Sequence, residues 1–218
     1  MTNGVFNAAD IVILLTCTVR VENVAYIVQV DPTEREEAYR ASIKRWVTET
    51  PFRIVTVENS GFDMSLEWLG VASGRYEAIS YNAPSDPEMR TSTSKGVYEI
   101  DAINRALKQS RFLNTAPFFV KVTGRFFIPS LYDIFLASTL NFNAVRQSDA
   151  NECQVVGCRT GFAPFLFHPD IELHVEDTYK KRLDAAQRGW TRNRVLVLPH
   201  MQIPPTRTGG HGTIIEVL

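Results

Sequence analysis

The chain has 218 residues, 44% of them hydrophobic and 22% charged, which is enough apolar material to build one sizeable core. Its formal net charge is -1 and its isoelectric point is near 6.4, so it has neither a basic footprint for nucleic acid nor an acidic excess for a cationic partner. No run approaches the ~18 apolar residues of a membrane span, and the opening "MTNGVFNAADIVILLTC" has no cationic region or small-residue cleavage pattern to mark a secretory signal.

"DIVILLTCT" (10–18) reads as a buried strand that ends in small hydroxyl and thiol residues. Pro32 opens "PTEREEAYRASIKRWVTET", where Tyr39, Ile43, Trp46 and Val47 fall at i, i+4, i+7 and i+8 on one helix face. "FRIVTVENSG" (52–61) is a second strand running into a glycine turn, which completes a β-α-β unit. Asp63 is expected to cap a short helix through Leu69, and "YEAISYN" (76–82) gives a third strand. The proline- and serine-rich "APSDPEMRTSTSKG" is a loop, and a helix from about Val97 turns Ile100, Ile103 and Leu107 inward.

"APFFVKVTGRFFI" (116–128) then reads as a fourth buried strand, yet its middle holds Lys121 and Arg125 around Gly124. Two cations in a core segment are costly unless they meet an anion or emerge at the strand's end into water. Beyond it, "PSLYDIFLAST" suggests a helix and "ECQVVGCRTGFAPFLF" a strand and turn. "VEDTYKKRLDAAQ" suggests a charged amphipathic helix, and "RNRVLVLPHMQIPP" a last strand broken at two prolines. A glycine-rich turn with His211 follows.

Alternating strands and helices up to Ile128 predict an α/β fold with a central, mostly parallel sheet covered on both faces. Such sheets bind ligands outside the carboxyl ends of their strands, where "TCT", "ENSG", "YNAP" and "KVTGR" would share one rim. No GxxxxGK[ST] or GxGxxG is present, and the four histidines have no HExxH or paired-cysteine spacing. Cys17, Cys153 and Cys158 are an odd set that fits reduced thiols and a cytoplasmic location. Glu176 and Asp177 stand at a helix amino end, where a carboxylate either caps the helix or, if it reaches a reacting hydroxyl, serves as general base.

The ordered blocks "ILLTCTV", "IVTVENSGFDMS", "SKGVYEIDAINRALKQSRFL", "FFVKVTGRFF", "VEDTYKKRL" and "GGHG" resemble small GT-A-type glycosyltransferases of capsule and surface-glycan gene sets. They are similar also to the chlorella-virus glycosyltransferase domain that decorates a major capsid protein. The resemblance spans nearly the whole chain, and it implies one domain: a nucleotide-sugar half over 1–128 and an acceptor-side half over 129–218. It implies transfer of a sugar from a UDP-sugar to a hydroxyl of a glycan or glycoprotein, with a divalent metal, Mn2+, as cofactor. Carried over by position, Thr16, Cys17, Thr18, Glu58, Asn59 and Ser60 would hold the nucleoside, with Glu58 accepting from the uracil imide. Lys95 and Glu99 would open the helix facing the nucleotide, and His211 would close over the pyrophosphate unless it is simply solvated. The pair Glu176 and Asp177 would lie on the acceptor side, with Asp177 as base in an inverting enzyme; in a retaining one the pair would orient substrate.

The fold's usual Asp-x-Asp at the end of the fourth strand is replaced by Val122-Thr123-Gly124. The resemblance therefore leaves the metal ligands unassigned, with Asp86 and Glu88 as candidates, and assigns Lys121, Thr123, Gly124 and Arg125 to the diphosphate. That departure also keeps open a non-catalytic nucleotide- or sugar-binding module on the same fold.

Overall fold

In a computed structural model, residues 7–21, 28–83, 95–138, 142–149, 153–170, 174–189, 195–209 and 212–218 are described. Strand β1 (Ile11–Cys17) is central and buried along its whole length. It is flanked in parallel by β2 (Arg53–Glu58) and β4 (Phe118–Thr123), with β3 (Tyr76–Ser80) parallel outside β2. On the other side β6 (Val155–Arg159) pairs antiparallel with β4 and with β5 (Ala144–Arg146), and β7 (Val195–Val197) joins β5 in parallel. The sheet order is β3-β2-β1-β4-β6-β5-β7, the mixed and mostly parallel sheet predicted.

Both faces are covered, so side chains of period two enter two separate cores. Ile11, Ile13, Leu15 and Cys17 face helix α1 (Pro32–Glu49) through Tyr39, Ile43, Trp46 and Val47, the face predicted from spacing. Val12 and Leu14 face α3 (Lys95–Gln109) and α7 (Val175–Gly189) through Ile100, Ile103, Tyr179 and Leu183. Fully buried Trp46 donates its indole N–H to the Phe126 carbonyl at 2.8 Å, and truncating such a side chain costs ~3–5 kcal/mol.

Helix α1 is closed at both ends. Asp31 accepts from the amides of Thr33 (2.8 Å) and Glu34 (3.3 Å), Pro32 sits at the first turn, and the Arg75 guanidinium donates to the Val47 and Thr50 carbonyls. Helix α2 (Leu66–Leu69) is capped by Ser65, not Asp63; Asp63 accepts from the Ser65 amide one turn earlier. Helices α4 (Arg111–Thr115), α5 (Leu131–Ala137) and α6 (Ala163–Leu166) connect the remaining strands.

Three expectations change. The fourth strand stops at Thr123, and Phe126, Phe127 and Ile128 bury after a turn rather than as strand. The two prolines do not end a strand: Pro204 and Pro205 lie inside β8 (Gln202–Arg207), which among the described residues pairs with β9 (Ile214–Val217) alone and shifts register between Gln202 and Thr206. An irregular edge is where proline's missing N–H costs least. The three-residue β5 is too short to leave a periodic signal. None of the three buried cysteines is in a disulfide, and no described helix is long and apolar enough to cross a membrane.

Candidate functional site

At the carboxyl ends of β1, β2 and β4 lies a cavity of about 680 Å3. Its walls are the strand ends, the first turns of α3 and α7, and the β8–β9 hairpin. Strand topology brings together most of the residues the sequence singled out: Thr16, Cys17, Thr18, Asn59, Ser60, Glu99, Thr123, Arg125 and Glu176 all line it.

Between β1 and β2 the wall is polar, with Arg20 as its cation. The Thr18 hydroxyl donates to Asn59 Oδ1 at 2.7 Å, and the Arg20 amide donates to Ser60 Oγ at 2.9 Å. Glu58 does not read a base. Its carboxylate is 0% exposed, accepts from the amides of Val19 (3.0 Å), Ser60 (3.0 Å) and Phe62 (2.8 Å), and also takes the Ser60 hydroxyl. Four donors fill both oxygens, so Glu58 is a strut that shapes the two strand-end loops. Burial, with the Glu58 charge nearby, pushes the Cys17 thiol well above its ordinary range.

The two cations of "KVTGR" go to opposite faces of the sheet. Lys121 follows the strand's alternation towards α3 and α7 and is 0% exposed. Its ammonium meets Glu99 Oε2 at 2.8 Å and donates to the Cys153 carbonyl at 2.9 Å. Burial pulls its pKa down, but the Glu99 carboxylate and a weaker field from Glu176 hold it above its ordinary value. Lys121 therefore has its anion inside the protein, and the expectation that it faces a diphosphate is corrected. Tyr179 donates its hydroxyl to Glu99 Oε1 at 3.2 Å, so Glu99 is held from two sides while still lining the cavity.

Gly124 turns the chain back, its amide donating to the Thr16 carbonyl at 2.9 Å. A Cβ at this position would run into Cys17 Sγ and lie 3.0 Å from the Thr16 carbonyl oxygen, so no carboxylate-bearing residue fits there. Arg125 emerges on the α1 side, 8% exposed. It donates to Gln29 Oε1 at 2.8 Å and to the Tyr39 hydroxyl oxygen at 3.3 Å, and its Nε–H is buried without a partner. Arg35 donates to the same Tyr39 oxygen at 3.0 Å. Arg35 and Tyr39 were absent from the sequence candidates. The available signal was a cation at position 35, one turn before Tyr39 on the apolar stripe of α1.

At the far wall the carboxylates of Glu99 and Glu176 face the cavity. Successive helix residues differ by about 100°, so only one of two adjacent carboxylates can point inward. Glu176 does, with no hydrogen-bond partner among the described residues. Asp177, expected as the base, is exposed and lies outside the cavity wall. Asp86, Glu88 and His211 lie outside the described residues, as does the side chain of Lys95. Among the described residues no group of three or more His, Cys, Asp or Glu side chains could hold a metal ion. The described residues thus offer the divalent cation expected from the resemblance no clustered ligand set, only the cavity carboxylates Glu99, Asp149 and Glu176, which do not group around one point.

No protein-family model matches the sequence, and no curated protein sequence matches it. Among solved structures, one named as a nucleotide-diphospho-sugar transferase from Desulfovibrio desulfuricans G20 superposes with a TM-score of 0.53 at 15% identity, over 87% of this chain and 80% of that one. The chain has the nucleotide-diphospho-sugar transferase fold. The same fold appears in 4-diphosphocytidyl-2C-methyl-D-erythritol synthase from Anaerococcus prevotii DSM 20548 (TM-score 0.52, 10% identity, 95% and 93% coverage). A glycosyltransferase involved in glycosylation of the major capsid of PBCV-1 is also similar (TM-score 0.45, 9% identity, 87% and 81% coverage). The resemblance read from the motif blocks is borne out in fold.

Proposed function

We propose that this protein is a glycosyltransferase that moves a sugar from a UDP-sugar to a hydroxyl of a glycan or glycoprotein in the cytoplasm. One observation carries this: the cavity wall passes from the hydroxyl and amide groups of Thr18, Asn59 and Ser60, with Arg20 beside them, to the guanidinium groups of Arg35 on α1 and Arg125 after β4, and to the carboxylates of Glu99 on α3, Glu176 on α7 and Asp149 after β5. That order suits a base, a diphosphate and a sugar laid end to end across the strand ends.

In this reading Glu176, in the cavity wall, takes the proton of the acceptor hydroxyl. The acceptor oxygen bonds the anomeric carbon, the bond from that carbon to the diphosphate oxygen breaks, and its electron pair leaves on UDP. Guanidinium in the wall stabilises the charge that develops there. Glu99, held by Lys121 and Tyr179, is a fixed acceptor for sugar hydroxyls. Asn59 and Thr18 offer the contacts to the base that Glu58 cannot.

A panel of UDP-sugars, each with and without manganese and with oligosaccharide acceptors, tests the reading by UDP release and product mass. UDP binding by calorimetry without turnover on any donor would favour the non-catalytic binding module. Nucleotidyl transfer is a second reading, favoured by the nearly full-length superposition on the diphosphocytidyl-methylerythritol synthase. CTP consumption with release of pyrophosphate, and no UDP release, would replace the first reading by this one.

A further inference from the structure

Arg35 and Arg125 are 3% and 8% exposed, and both line the cavity. Neither makes an ion pair with a carboxylate among the described residues. Arg35 spends its donors on neutral oxygens: the Thr18 carbonyl at 2.7 Å, the Gln29 carbonyl at 3.0 Å and the Tyr39 hydroxyl at 3.0 Å. Arg125 does the same with Gln29 Oε1, the Arg207 carbonyl at 3.4 Å and the Tyr39 hydroxyl. The Thr18 amide also donates to that hydroxyl, at 3.2 Å, so three donors converge on one oxygen with two lone pairs.

Two like charges side by side, with more donors than acceptors and a buried Nε–H left over, are costly for a folded chain to keep. Burial, foremost, and the neighbouring Arg125 charge lower the Arg35 pKa, and the field of the Glu58 carboxylate offsets them only in part. Among the described residues, Glu58 and Cys17, whose fields reach Arg35, make no ion pair with it. Glu58 is filled by amides and the Ser60 hydroxyl, and the Cys17 thiol is held neutral by burial. The β8–β9 turn closes over this spot: a Cβ at Gly209 would lie 2.8 Å from the Arg125 guanidinium, and the Gly209 carbonyl accepts from the Val28 amide at 3.0 Å.

We infer that Arg35, Tyr39 and Arg125 form a cradle for the donor's diphosphate that works without a divalent metal. A diphosphate supplies the negative charge and acceptor oxygens the cluster lacks, and each planar fork can bind two of those oxygens. Where the resemblance expects a metal-binding Asp-x-Asp, Gly124 is wedged against Cys17, and the positive charge comes instead from the residue that follows it.

The inference rests on the proposed nucleoside-diphosphate site, and calorimetry separates the two. UDP, inorganic pyrophosphate and uridine are titrated into the wild-type protein and into Arg35→Lys and Arg125→Lys, in EDTA and in manganese, with unfolding curves to confirm each variant is folded. The cradle is supported if wild-type protein binds UDP and pyrophosphate in EDTA within about twofold of its affinity in manganese, and if each lysine variant weakens both by about tenfold or more while uridine is unchanged. The wild-type comparison stands even where a variant fails to fold. Arginine-dependent, metal-free binding of pyrophosphate with UDP no tighter keeps the cradle and overturns the uridine reading. Binding of UDP only in manganese, or at wild-type affinity in both folded variants, overturns the cradle and keeps the nucleotide reading; no binding of UDP or pyrophosphate in either condition overturns both.

Discussion

Lys121 and Arg125 stand four positions apart in one motif and have opposite roles. Lys121 is neutralised internally by Glu99, so its loss is felt first as stability. Breaking one partner of a buried pair costs ~3–5 kcal/mol, and we expect Lys121→Met to lower the melting temperature by about 10 °C. The same pair sets a pH dependence with a definite sign. The folded pKa of Lys121 is raised above its ordinary 10.5, so its contribution is intact below that value and is lost as pH climbs through the folded value. Melting curves of wild type and Lys121→Met should therefore converge only at strongly alkaline pH. Glu176 and Asp177 give the second contrast. Glu176→Gln should lower turnover by roughly 10²-fold or more with UDP affinity little changed, while Asp177→Asn should leave both near wild type. Steady-state kinetics beside UDP titrations measure the difference, and equal losses from the two substitutions would remove Glu176 from the mechanism.

Among the elements, β1 and β4 meet at the rim where the Gly124 amide donates to the Thr16 carbonyl. A Cβ at Gly124 would run into Cys17 Sγ and crowd the Thr16 carbonyl and the Tyr39 ring, so Gly124→Ala forces a shift of strand ends that also carry the site. Overpacking of this kind costs ~1–3 kcal/mol. Cys17→Ala in the same chain removes the sulfur atom and should recover part of the loss, leaving what the Thr16 carbonyl imposes. Denaturant midpoints of the two single variants and the double variant give the coupling, and strict additivity would show that the sulfur is not the obstacle. Helix α1 shows how much of an element is legible beforehand. Its bounds, its Pro32 start and its buried face follow from local spacing and cap chemistry, whereas the use of Arg35 depends on a strand more than 80 residues away.

For the whole molecule, the cavity joins strand ends from the first half of the chain to α7 and the hairpin of the second. A ligand that bridges these parts stabilises them together by mass action. At 100 times its dissociation constant UDP adds ~2.7 kcal/mol, which for a chain of this size raises the melting temperature by about 5–10 °C. A thermal-shift titration checks this. A rise that saturates with uridine alone would mean that the base, and not the diphosphate, joins the two halves.

The amino-acid sequence by itself determined the α/β class, the order of strands and helices through β4 apart from the five-residue α4, and the gathering of "TCT", "ENSG" and "KVTGR" at one rim. These depend on periodicity and on the chemistry of turns and caps, which act over a few residues. Tertiary structure alone decided that Lys121 meets Glu99 while Arg125 meets Tyr39, that Glu176 and not Asp177 faces the cavity, and that Glu58 is filled by the amides of Val19, Ser60 and Phe62. The physical reason is one of range. Periodicity says which way a side chain leaves its own strand or helix, but the partner it reaches depends on where a distant element packs. Charge pairing, burial and hydrogen bonding are settled at that distance.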